Sequence, residues 1–227
     1  MNVQDTVSIV TGSSSGVGAA TAKMLVAKGG KVVINFSRSI DAAKKVAQEC
    51  ESLGGEVLLC QADVSTDDDC LRMVDETLAK WGRLDVLVNN AGTTKFVQHP
   101  DLDGLSSEDF QHIYGVNVIG PFQMVRAAHD ALKASGNGSI VNVASIAGVK
   151  GVGSSIAYAA SKGALITMGK SLARIMGPEV RVNTVCPGFI TGDWLAEGMG
   201  KETYEASKAF LETKTPLQTT CTPETVA

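Results

Sequence analysis

Tyr158-Ala-Ala-Ser-Lys162 sets a phenol four residues ahead of an ammonium. On a helix that spacing brings both groups to one face. An unperturbed tyrosine, with a pKa of about 10, is a poor proton donor or acceptor at neutral pH, whereas a fixed neighbouring cation favours the phenolate. The pair is a candidate acid/base device, although a tyrosine packed along a lysine stem is also an ordinary feature of amphipathic helices. A second chemical signal stands near the start, Thr11-Gly-Ser-Ser-Ser-Gly-Val-Gly18. Its glycines permit a tight turn and let an anion approach backbone N–H groups. The spacing GxxxGxG is one residue looser between its first two glycines than the usual GxGxxG fingerprint.

Both signals need elements to hold them. Short β-branched runs at Val7 to Thr11, Lys31 to Phe36, Glu56 to Gln61, Leu84 to Asn89, Ser139 to Ala144 and Val180 to Cys186 read as strands, mostly apolar throughout as buried parallel strands are. Helical patterns alternate with them at Gly16 to Lys28, Ile40 to Leu53, Thr66 to Trp81, Ser106 to Ala134 and Ser155 to Met176. The β-α-β-α order predicts an α/β fold with a doubly wound parallel sheet. Ligands then bind beyond the carboxyl ends of the strands, where strand order reverses. The glycine-rich turn lies between the first strand and the first helix, which points to a dinucleotide.

Composition narrows the classes. A chain of 227 residues, 44% of them hydrophobic, can bury one sizeable core, and nothing in it marks a linker, so residues 1–227 are expected to form one domain. A net charge of -4 with interspersed signs offers no basic stripe for nucleic acid and no polybasic membrane patch. No run reaches membrane-spanning length and the opening MNVQDTVSIV lacks a signal-peptide pattern, so a cytoplasmic protein is expected. Cys50, Cys60, Cys70, Cys186 and Cys221 form no CxxC pair and read as reduced thiols. His99, His112 and His129 have no metal-ligand spacing, so no metal is expected.

The chain resembles the short-chain dehydrogenase/reductases, and within them the 3-oxoacyl-reductase-like branch. The resemblance rests on TGSSSGVG, Asp63-Val64 after the third strand, Asn89-Asn-Ala-Gly92 after the fourth, Asn117, Ser145, YAASK, and Pro187-Gly188 after the sixth. It implies a Rossmann fold with three α/β/α layers. It also implies four catalytic residues: Tyr158 as general acid or base, Lys162 holding the nicotinamide ribose and lowering the Tyr158 pKa, Ser145 bonding the substrate carbonyl, and Asn117 holding a water that links Lys162 to solvent. The chemistry suits these types, because hydride arriving at a carbonyl carbon leaves negative charge on oxygen that a proton donor and a second hydrogen-bond donor must meet. For the cofactor the resemblance implies contacts from Gly12, Ser14, Ser15, Gly16, Val17 and Gly18 in the turn, and from Asp63 and Val64 at the adenine. Asn90, Ala91 and Gly92 would line its path, and Pro187, Gly188, Ile190 and Thr191 would lie by the nicotinamide. Asn89 would brace the central strand. Asp63 also precedes a helix, where a capping role is an alternative.

The second strand ends Ile34-Asn-Phe-Ser-Arg-Ser39 with no acid to bind a ribose diol. Arg38, with Ser37 beside it, suits a 2′-phosphate, so NADP(H) is favoured over NAD(H). Against this, many NADP-preferring relatives carry a basic residue in the glycine-rich turn, where this chain has Ser15. Thr93 to Gln98, Ile146 to Ser154 and a lid over about residues 192–212 are expected to choose the substrate, with Trp194, Met199, Tyr204 and Phe210 either covering it or packing the lid itself. In relatives a sequence like Thr222-Pro-Glu-Thr-Val-Ala227 opens a helix that continues into a last strand, and that strand is missing from this chain.

The expected protein is thus an NADP-dependent oxidoreductase for a carbonyl or secondary alcohol, a 3-oxoacyl thioester or small ketone being favoured. Alternatives are an NAD-dependent alcohol, polyol, sugar or steroid dehydrogenase, and an idle nucleotide-binding sensor. A homo-oligomer, tetramer or dimer, is expected with no nucleic-acid or membrane partner.

Overall fold

The computed structural model describes residues 2–227. Six parallel strands, β1 (Val7–Val10), β2 (Lys31–Phe36), β3 (Val57–Gln61), β4 (Val86–Asn89), β5 (Gly138–Val143) and β6 (Val180–Val185), form one sheet in the order β3-β2-β1-β4-β5-β6. Order reverses between β1 and β4, so the ligand crevice of a doubly wound sheet opens at their carboxyl ends.

The central strands β1, β2 and β4 are buried along almost their whole length, and the sheet has a core on each face. Helices α1 (Gly16–Ala27) and α2 (Ile40–Ser52) cover one face, where Ala22, Val26 and Val46 pack on Val10, Val32, Ile34 and Val88. On the other face Met73 of α3 (Asp67–Trp81) meets Ile9, Val33, Leu87 and Ile140. Met124 and Leu172, from helices further along the chain, complete that core. The apolar strand pattern therefore reflects burial on both sides, as parallel strands require.

The helix expected from Ser106 to Ala134 is divided. α4 (Ser107–Tyr114) starts at a capping box of Ser106 and Asp109, a π-turn occupies Gly115–Ile119, and α5 (Gly120–Ala134) continues. Such π-turns interrupt helices most often at functional positions, and this one contains Asn117. Beyond β5 come the short α6 (Ala147–Lys150) and the long α7 (Ile156–Met176). After β6 follow α8 (Asp193–Met199), α9 (Lys201–Lys214) and α10 (Pro223–Val226), the last resting against α1. β6 is an edge of the sheet, and its side chains alternate between exposed and half-buried after Val180. Among the described residues no helix is long and apolar enough to cross a membrane, and all five cysteines are free.

Candidate active site

The glycine-rich turn is locked from behind. Asn35, buried in β2, accepts from the Gly12 N–H at 2.9 Å and donates to the Cys60 and Ala62 carbonyls at 3.3 and 3.0 Å. Its backbone exchanges two further bonds with Ser13, through the Oγ and the N–H. Thr11 Oγ1 accepts from the N–H groups of Asn90 and Ala91, while Asn90 Nδ2 returns to the Thr11 and Gly12 carbonyls. A side chain on Gly12, whose φ is +62°, would stand 2.9 Å from the Ala91 Cα, so this approach of two strand ends admits only glycine. Asn35 and the Thr11 hydroxyl had no expected role. Their signal was a lone amide in an apolar strand and a hydroxyl at a strand end.

The front of the turn is open. Nothing lies within 4 Å of a methyl group built on Gly16, and Ser15 makes no side-chain bond to the first turn of α1. Unsatisfied N–H groups at a helix start fit a pyrophosphate. Ser14, Ser15 and Val17 border that opening, and Gly18 sits behind it, close to Asn90 Nδ2 and the Gly12 carbonyl.

Past β3, Asp63 Oδ1 accepts from the N–H and hydroxyl of Ser65, which leaves Oδ2 without a partner among the described residues. Thr66 is the N-cap of α3 and makes no side-chain capping bond. Buried Val64 offers its carbonyl to Gln123 Nε2 at 2.8 Å. Ser37, Arg38, Gln61, Asp63, Asp69, Arg72 and Glu76 surround a shallow hollow of about 640 Å³. Gln61 Nε2 holds the Ser37 carbonyl at 3.0 Å, and Arg72 is committed to Asp69 and Glu76, which leaves Arg38 as the free guanidinium of the hollow.

At the centre, Ser155 caps α7 by accepting from the Tyr158 N–H at 3.2 Å, so the phenol leaves the first helical turn. Ser145 follows the end of β5 and lines the same cavity as Tyr158, its Oγ accepting from the Ala147 N–H at 3.1 Å. The approach of α6 to α7 depends on Gly148, where a methyl group would lie 2.5 Å from the Lys162 carbonyl carbon; α6 and α7 touch through their backbones. Lys162, one turn after Tyr158, is buried and donates to the Val143 carbonyl at 2.8 Å, its ammonium 5.7 Å from the Tyr158 ring centre. Burial pushes its pKa down to about 8. An ammonium has three donors, so two remain free for a ligand. Asn117 clips the same region together: Oδ1 accepts from the Thr93 N–H at 2.8 Å, and Nδ2 donates to the Thr93 carbonyl and to Ser161 Oγ.

One expectation needs correction. Tyr158 is shifted up, not down, because burial of the phenol dominates and only the Ser145 hydrogen bond opposes it. Lys162 is tied to the Val143 carbonyl and stands 5.7 Å from the ring centre, and it is not among the causes of the Tyr158 shift.

A cavity of about 760 Å³ opens above Ser145 and Tyr158. Pro187, Gly188 and Ile190 line one part; the Pro187 carbonyl accepts from the Ile146 N–H, and Thr191 pairs with Cys221 through N–H and Oγ1. Trp194 and Met199 line the cavity as cover, whereas Tyr204 is buried against Phe189 and Phe210 is 59% exposed beneath the Lys214 ammonium. The expected cover is thus divided between the cavity and the interior of the α8–α9 segment. Asn89 braces β4 as expected, donating to Asn142 Oδ1 across to β5. No cluster of metal-ligating side chains occurs among the described residues.

The family model for short chain dehydrogenases matches residues 6–203. The chain belongs to that family. It is an oxidoreductase, and the family works with NAD(P)(H). A Streptomyces violaceoruber protein named as ketoacyl reductase 2 of the granaticin polyketide synthase is 43% identical over 221 residues, 97% of this chain and 86% of its own length. A 3-oxoacyl-acyl-carrier-protein reductase from Synechocystis is 38% identical over 86% of this short-chain dehydrogenase and 78% of its own chain. The crystal structure of NAD+-bound xylitol dehydrogenase matches with a TM-score of 0.89 at 26% identity, covering 99% of this chain and 90% of that one.

Proposed function

We propose that this enzyme reduces a ketone to a secondary alcohol, with NADPH as the preferred cofactor. The observation that carries the reading is that Ser145 and Tyr158 line one largely apolar cavity while the buried Lys162 ammonium stands behind the Tyr158 ring, 5.7 Å from its centre. When bound, the nicotinamide supplies hydride to the carbonyl carbon. Tyr158 gives its phenolic proton to the oxygen, and Ser145 donates the second hydrogen bond to the charge that develops there. Burial suits the phenol to this direction, since it keeps the proton on until the substrate oxygen becomes basic.

Lys162 uses its two free donors for the nicotinamide ribose, and Asn117 orders a water that replenishes the proton through Lys162. The N–H groups of Ser14, Ser15, Gly16 and Val17 receive the pyrophosphate, within the frame set by Gly12 and Gly18. Asp63 Oδ2 and the Val64 backbone take the adenine, while Asn90, Ala91 and Gly92 leave room along the cofactor. Pro187, Gly188, Ile190 and Thr191 border the nicotinamide. Residues 192–212 act as the lid, and the whole chain works as one catalytic domain.

Arg38 supports NADPH, since it is the uncommitted cation beside Ser37. A specific observation favours NADH instead: Asp63, Asp69 and Glu76 share the same hollow and repel a 2′-phosphate. Titrating both reduced cofactors into wild type and Arg38→Ala separates the two. A charge-assisted bond worth about 1.5–3 kcal/mol makes the substitution lower NADPH affinity by a factor of about 10–150 and leave NADH nearly unchanged. Equal losses, or tighter NADH binding by wild type, overturn the preference. Turnover of a ketone panel at the nicotinamide absorbance band tests the reaction itself.

A further inference from the structure

We infer that the ketone is carried on a flat, aromatic-fused ring system bearing further ring oxygens, held by Phe96 and Trp194, and is not a flexible acyl thioester. The inference rests on the carbonyl reduction proposed above and names its substrate class. Three rings follow one another along the cavity lining. Trp194 is tilted 59° to Phe96 at 5.6 Å between ring centres and 50° to Tyr158 at 6.5 Å. Phe96 is held in place: the Val97 N–H donates to the Ser154 carbonyl at 2.9 Å, and Thr94 Oγ1 lies 2.7 Å from Ser154 Oγ. Gly198 of α8 packs closely against the ring, since a methyl group there would stand 2.0 Å from Phe96 Cε2.

Gly198 and Trp194 are one helical turn apart, so a single face of α8 fixes Phe96 and presents the indole beside it. Trp194 stays 53% exposed and its Nε1–H has no partner among the described residues. Two tilted aromatic planes offer a flat ring one face contact and one edge contact, a directional preference that a saturated chain does not share.

The lining contributed by α9 has a different character. Thr203, Ser207 and Leu211 recur every four residues and so share one face, which lines the cavity. Neither the Thr203 nor the Ser207 hydroxyl has a hydrogen-bond partner among the described residues, unlike Thr215, whose hydroxyl closes on the Thr219 backbone at 2.9 Å. Thr203 is exposed and Ser207 half-buried, so solvent satisfies them in the open cavity and a ligand that displaces this water gains by offering polar atoms in its place. Lys150, an exposed residue, is the one charged side chain of the lining, so the occupant is neutral over most of its surface. A cavity of about 760 Å³ accommodates a fused-ring ligand beside a nicotinamide ring. In the reaction hydride from NADPH forms the new C–H bond, the carbonyl π pair takes the Tyr158 proton as O–H, and oxidised cofactor leaves.

The experiment compares 2-tetralone, 6-hydroxy-2-tetralone, 2-decalone and acetoacetyl-N-acetylcysteamine as substrates with NADPH. The decalone keeps the carbon skeleton of tetralone and removes its aromatic ring. Wild type should favour 2-tetralone over 2-decalone in kcat/KM by about three- to tenfold, the scale of one aromatic contact. Trp194→Leu and Phe96→Leu should each collapse that ratio toward one, mostly through KM, with NADPH affinity retained. The hydroxytetralone should gain over tetralone, and Thr203→Val with Ser207→Ala should erase the gain. A wild-type preference for decalone or thioester overturns the inference, as does an equal loss for every substrate in Trp194→Leu, which would reduce the indole to a shelter for the phenol. If NADPH binds but no ketone turns over, it is the proposed reaction that fails. The clamp is still tested by titrating 2-tetralone against Trp194 fluorescence in Trp81→Phe, which removes the other of the two tryptophans. Saturable quenching supports the clamp and its absence overturns it.

Discussion

At the carboxyl ends of β1, β2 and β4, the side chains of Thr11, Asn35 and Asn90 are bonded to the backbone of neighbouring strands. Between Asp193 and Lys214, by contrast, Tyr204 is the one buried side chain. The first region is a densely hydrogen-bonded frame, which suits the cofactor-binding role proposed for it. The second buries little, which suits it to the lid role proposed for it. Under the proposed function, the difference separates the placing of hydride chemistry from the choice of substrate.

That contrast breaks most visibly at Asn35. Asn35→Ala leaves the buried Gly12 N–H and two carbonyls without their partner, so it should lower unfolding free energy by about 3–5 kcal/mol. Phe210→Ala in the lid, at an exposed ring, should stay within about 0.5 kcal/mol. Urea denaturation of both variants measures the gap. A loss below about 1 kcal/mol for Asn35→Ala would mean that the frame is no firmer than the lid.

Chemistry should depend on single atoms where the frame meets the cavity. Tyr158→Phe keeps the ring beside Trp194 and removes only the hydroxyl, so turnover should fall about a hundredfold or more while cofactor binds nearly as before. Fluorescence titration of NADPH beside steady-state rates reads both. Near-normal turnover would reduce YAASK to helix packing.

Lys162→Met sharpens the same boundary by separating function from stability. Burial depresses the folded pKa of Lys162 to about 8, below the ordinary lysine value, so the folded protein binds fewer protons than the unfolded chain between those two values. The buried charge opposes folding at low pH, and this penalty is lost as pH rises from about 8 toward the unfolded value. Methionine should therefore weaken cofactor binding yet raise stability by about 1–2 kcal/mol near pH 6. The advantage should shrink toward pH 10. Denaturation at both pH values checks the sign, and a variant less stable than wild type near pH 6 would show that Lys162 supports the fold as well as the chemistry.

The frame was legible because its constraints are local and strict. An apolar run buried on both sides shows as strand, and TGSSSGVG, NNAG and YAASK fix backbone turns or helical spacing at which few residue types serve. The long helix through Asn117 misled because the partners of the π-turn's Asn117 amide, Thr93 and Ser161, are distant in sequence. The direction of the Tyr158 shift was hidden for a similar reason: depth of burial is a property of the assembled site. Phe96 could not be singled out, since its position depends on Gly198 of a later helix. Spacing reports neighbours along one element and is silent about partners brought together by the fold.

The smallest effect should come from the lid's own anchor. The Tyr204 hydroxyl accepts from the Gly192 N–H at 3.2 Å, and its ring lies 5.4 Å from that of Phe189, so one residue ties the start of the lid to α9. Tyr204→Phe keeps the ring contact and deletes one neutral hydrogen bond, worth about 1 kcal/mol. Because α8 and α9 bury little else, the loss should fall on lid closure rather than on global unfolding. Amide exchange should quicken about fivefold across residues 192–214 and stay unchanged in the strands. KM for the ketone should rise severalfold with kcat nearly preserved, since the chemistry below the lid is untouched. If Tyr204→Phe lowers global stability as much as local protection, lid and frame unfold together, and the independence of the two regions fails.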